Sequence, residues 1–134
     1  MTENTLHDLF AKQAAKSPEK TALQFGNDTL SYRELDQKSN QLANYLIKKG
    51  VKTEDFISIF IDRSFEMIIG ILGILKAGAA YVPIDTEYPQ ERINYILNDT
   101  KCDFVITNSK NYKYLSELVN GATLINLEED VAAM

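Results

Sequence analysis

Apolar residues recur along this chain with two different periods, and the changes of period mark its elements. Leu6, Leu9, Phe10 and Ala14 fall at helical spacing within Thr5 to Lys16, which predicts a first helix that Ser17-Pro18 stops. Thr21 to Phe25 and Thr29 to Ser31 are short extended runs around Gly26-Asn27-Asp28, residues that tolerate positive φ, so a hairpin is expected there. Ser31 and Glu34 stand at the spacing of a capping box, in which each side chain binds the amide of the other. A long helix should follow, with Leu35, Leu42, Tyr45, Leu46 and Ile47 on its apolar face and Gly50 at its end.

Phe56 to Ile61 is an unbroken apolar run of strand length, the pattern of a parallel strand covered on both faces. The next stretch, Arg63 to Asp85, organises the chain. Ser64 can cap a helix, and from Met67 to Leu75 every face of that helix is apolar except at Gly70 and Gly73, so it must be buried. Gly70, Gly73 and Ala77 form a stripe of small residues that invites a close neighbouring backbone. Gly78 is expected to end the helix in the left-handed conformation, and Ala79 to Ile84 reads as a short buried strand, with Pro83 placing it at an edge or at its last turn. Pro89 suits the first turn of a helix to about Asn98, with Ile93, Ile96 and Leu97 inward. Phe104 to Thr107, Tyr112 to Val119 and Ala122 to Leu127 read as strand, helix and strand. This alternation predicts an α/β fold, a mostly parallel sheet with helices on both faces. Residues 1–134 are read as a single domain, with 128–134 a loose acidic tail.

Composition excludes several function classes. A net charge of −5, with no Lys/Arg cluster interleaved with aromatic residues, argues against nucleic acid. Met67 to Ile84 is eighteen residues long, but Lys76, Gly78 and Pro83 interrupt it, so no membrane span is expected. The N-terminus lacks a basic region followed by an apolar run, and Cys102 is the only cysteine, which together suggest a reducing, cytoplasmic setting. Cys102 reads as a buried structural thiol and His7, the only histidine, as a surface residue of the first helix, so no Cys/His metal set is assembled.

The string Leu75-Lys76-Ala77-Gly78-Ala79-Ala80-Tyr81-Val82-Pro83-Ile84-Asp85 closely resembles a signature of the adenylation domains of nonribosomal peptide synthetases, a branch of the adenylate-forming, AMP-binding enzymes. Leu30-Ser31-Tyr32-Arg33-Glu34-Leu35 upstream and Tyr88-Pro89-Gln90-Glu91-Arg92 downstream resemble two further family segments in the same order. The resemblance covers roughly residues 5 to 127 and implies the N-terminal part of the large subdomain of such an enzyme. The intact family enzyme activates an amino acid as its adenylate with ATP and magnesium, and loads it on the phosphopantetheine thiol of a carrier protein. Its Ser/Thr/Gly-rich loop ending in Pro-Lys-Gly, its substrate-pocket segments, its ribose-binding Asp and its C-terminal Lys have no match here.

This chain is therefore expected to be a truncated, catalytically silent part of an adenylation domain, with no catalytic, cofactor-binding or metal-binding residue of its own. A stand-alone interaction module, or half of a split enzyme, is the alternative. Partners would be the remainder of the domain or synthetase, a carrier protein, and a second copy in a weak homodimer. Of the matching residues, Lys76 is expected to stabilise the last carbonyls of its own helix. Tyr81, Pro83 and Asp85 fall at a strand's carboxyl end, where open α/β sheets place ligands, although Asp85 also suits a turn. Arg63 and Arg92 are expected to pair with Asp62, Asp85 or Glu91.

Overall fold

The computed structural model describes residues 6–100, 103–119 and 121–131. Helix α1 (Leu6–Lys16) leads to a hairpin of β1 (Thr21–Phe25) and β2 (Asp28–Ser31), followed by helix α2 (Tyr32–Lys48). Strands and helices then alternate through β3 (Phe56–Phe60), α3 (Phe65–Lys76), β4 (Ala80–Pro83), α4 (Gln90–Thr100), β5 (Phe104–Thr107), α5 (Ser109–Leu118) and β6 (Thr123–Asn126). A π-helical turn, Leu127–Val131, comes last. β1 and β2 pair antiparallel, while the other strands form one parallel sheet in the order β4-β3-β5-β6.

The two-residue period of the strands divides the core into two layers. Ile57 and Ile59 of β3, Ile106 of β5 and Ile125 of β6 pack with Leu42 and Leu46 of α2 and with Ile69, Leu72 and Ile74 of α3. On the opposite face, Phe60 and Val105 pack with Ile93 of α4 and Leu115 of α5. Helices therefore cover both faces, as the apolar runs require.

The helix ends are chemically specified. At the start of α2 the Ser31 hydroxyl accepts the Glu34 amide at 3.1 Å, and the Glu34 carboxylate accepts the Ser31 amide at 3.1 Å. At its end the Gly50 amide donates to the Ile47 carbonyl (3.0 Å) and the Val51 amide to that of Leu46 (3.1 Å). α3 ends in the same paired pattern, with Gly78 donating to Leu75 (3.0 Å) and Ala79 to Ile74 (3.1 Å). This Schellman arrangement needs a left-handed residue, and Gly78 has φ of 88°. The apolar residue just beyond each glycine, Val51 or Ala79, is buried.

Where the structure departs from the sequence reading, tertiary placement is the reason. The notches at Gly70 and Gly73 admit side chains rather than a neighbouring backbone. A Cβ on Gly73 would stand 2.7 Å from Leu42 Cγ and 2.8 Å from Leu42 Cβ, and one on Gly70 would collide with Ile59 Cδ1. β4 is an edge strand and not fully buried, with Tyr81 37% exposed. α5 starts three residues before Tyr112 because the Asn108 side chain caps it, accepting the Asn111 amide at 3.2 Å. Residues 128 to 131 are not a loose tail: Val131 is buried, Asp130 accepts the Asn126 amide (2.8 Å) and Glu128 accepts the Ser109 amide (2.9 Å). Cys102, the His7 side chain and residues 132–134 lie outside the described residues.

Both edges of the sheet are blunted. Ala80 and Ile84 donate toward β3, to the carbonyls of Asp55 (2.8 Å) and Ile59 (3.0 Å), so the backbone nitrogens of Tyr81 and Pro83 face the open edge, and proline has no amide proton to offer there. At the other edge the outward amide of Asn126 is already taken by Asp130.

Gly78→Val should destabilise the chain by about 1–2 kcal/mol, through the left-handed backbone alone. Gly70→Leu should cost roughly 1–3 kcal/mol through overpacking against Ile59. Urea unfolding reads both, and unchanged midpoints would contradict this packing of α3.

Candidate functional site at the carboxyl ends of the sheet

In open parallel sheets ligands settle beyond the carboxyl ends of the strands. In this chain the sheet opens there into a cleft of about 360 Å³ between β3, β4 and α3. Its floor is apolar, from Ile59, Ile61, Pro83 and Ile84, and α3 contributes Met67 and Ile71 as a wall. Asp62, Arg63, Asp85, Thr86 and Tyr88 form the polar rim.

The rim acids already have partners. Asp85 accepts the amide of Glu87 at 2.8 Å, while its carbonyl accepts that of Tyr88 at 3.1 Å, so it shapes the turn that leads to α4. Asp62 pairs with Lys110 of α5 at 2.5 Å. That hydrogen bond, followed by one from Thr86, holds the Asp62 carboxyl below the usual aspartate range, and the same contact raises Lys110. The pairings expected of the two arginines are not made. Arg92 lies over the Tyr88 ring at 4.7 Å, and neither Arg63 nor Arg92 forms an ion pair among the described residues. Tyr81, expected near the ligand end, lies on edge strand β4, 37% exposed, and does not line the cleft.

Lys76 lies elsewhere and serves a different purpose. Its ammonium does not turn back on the carbonyls of α3 but reaches α2, donating to Asp36 Oδ1 (2.7 Å), Ser39 Oγ (2.8 Å) and Asn40 Oδ1 (2.9 Å). The Phe10 ring of α1 covers it at 5.3 Å. Three helices therefore meet on one charge whose side chain is only 10% exposed. Ser39 is fully buried and its hydroxyl donates to the Leu35 carbonyl at 2.8 Å, so every group in the cluster is used.

This donor set does not suit a magnesium ion or a triphosphate. No group of three His, Cys, Asp or Glu side chains among the described residues could hold a metal. The rim carboxylates are committed to Lys110 and to a turn amide, and Lys76, the most enclosed cation among the described residues, is committed to α2. The chemistry available in these residues is positional: it joins loops and helices. Sequence reasoning missed the Asp62–Lys110 contact because the partners are 48 residues apart, and no local spacing announces such a pair.

Lys76→Met should lower stability by about 1–3 kcal/mol, since it strips a partly buried carboxylate of its cation. An unchanged urea midpoint would refute the clasp. The Asp62 contact sets an acid limb. Because its folded pKa is depressed, its contribution is complete above the unfolded value of about 3.9 and disappears as pH falls through the folded value below it. Asp62→Asn should flatten stability against pH in that acidic window and leave the slope near neutrality unchanged. An equally steep acid limb in the variant would assign it to other groups.

The AMP-binding enzyme family profile matches residues 10–133. Bacitracin synthase 3 of Bacillus licheniformis is 54% identical over 106 residues, which is 79% of this chain and 2% of that protein. Tyrocidine synthase 2 of Brevibacillus parabrevis is 52% identical over 105 residues, 78% of this chain and 3% of that protein. The crystal structure of the nonribosomal peptide synthetase FmoA3 in its α-methyl-L-serine-AMP bound form superposes with a TM-score of 0.89 at 29% identity, over 94% of this chain and 14% of that one. The chain thus spans only 2–3% of these curated relatives. It belongs to the AMP-binding enzyme family, within which it corresponds to the N-terminal part of a nonribosomal peptide synthetase adenylation domain.

Proposed function

We propose that these residues form part of the large N-terminal subdomain of a cytoplasmic amino-acid-activating adenylation domain. The complete enzyme would use ATP and magnesium to convert an amino acid to its adenylate, and would pass the acyl group to the phosphopantetheine thiol of a carrier protein. The segment by itself supplies scaffold and no catalytic group. The observation that carries this reading is the fate of the family signature: within Leu75–Asp85, Lys76 clasps α2, Gly78 closes α3, Pro83 blunts the sheet edge and Asp85 makes a turn. Each of these residues is occupied in holding the fold.

Weak self-association of the isolated segment belongs to the same proposal. The blunted strand edges disfavour β-pairing, so the association is proposed to bury exposed apolar side chains such as Leu9, Ile47, Phe56 and Tyr95 instead.

The purified segment should exchange no pyrophosphate into ATP with any amino acid, and sedimentation at rising micromolar concentration should show a dimer that salt does not dissolve. Amino-acid-dependent exchange above background would overturn the scaffold reading, and a monomer throughout would remove the dimer from it. Exchange that appears only when the remaining part of an adenylation domain is added in trans would identify one half of a split enzyme.

A further inference from the structure

We draw no further inference here: the strongest candidate, the crevice between the loops after β3 and β5 where Asp62 and Lys110 pair beside the starts of α3 and α5, rests on two helix N-termini and an ion pair that already satisfies both its members.

Discussion

The approach of α2 to α3 is the constraint on which the rest of this structure depends. Leu42, fully buried, inserts where any side chain at position 73 would have to stand, so the two helices reach their observed distance only if that position is glycine. The isoleucines of β3 make the same demand from the sheet side, because Ile59 fills the notch at Gly70. One helix is therefore keyed on two faces at once, while Met67, Ile68, Ile71 and Leu75 on the rest of its apolar circumference stay only partly buried. Lys76 closes the far end of this interface. A protonated amine is expensive to bury alone, but here a carboxylate, a hydroxyl and an amide oxygen share it beneath the Phe10 ring.

The sheet inherits its order from this helix. The chain leaves β3 through α3 to reach β4 on one side, then returns past β3 to place β5 on the other. Adjacent carboxyl ends are thereby left with loops running to opposite faces, and the Asp62–Lys110 pair ties the two together. The family signature spans the exit from α3, strand β4 and the turn beyond it. Its residues hold this crossover in place, through the Lys76 clasp, the Gly78 helix end and the Asp85 turn.

How much of this is legible in the sequence depends on how local the cause is. Capping boxes, glycine ends and apolar runs act within a few residues, and the helices of Ser31 to Gly50 and Ser64 to Gly78 follow from them. Pro83 hints at the edge position of β4, but the apolar run Ala79 to Ile84 reads as buried, and nothing in it records which strand will be its neighbour. Lys76 reads as a partner of its own helix since those carbonyls are nearby in sequence, whereas Asp36 lies 40 residues away. The acidic run Glu128-Glu129-Asp130 has the composition of a solvated tail, yet two of its carboxylates find the amides of Ser109 and Asn126, donors that only the folded sheet brings within reach.

The central claim is that Leu42 and Gly73 set the helix spacing together, and a double-mutant cycle tests it most directly. Gly73→Ala alone should destabilise by roughly 1–3 kcal/mol through overpacking, and Leu42→Ala alone by about 2–5 kcal/mol through the cavity it leaves. Truncating Leu42 to alanine also removes the Cγ and Cδ2 atoms that the new methyl would meet, and leaves only the Cβ contact at 2.8 Å to be relaxed. Urea unfolding of the double variant should therefore show a loss smaller than the sum of the two single losses by more than about 0.5 kcal/mol. Simple additivity within that margin would mean that Gly73 is not required by Leu42, and would contradict the account.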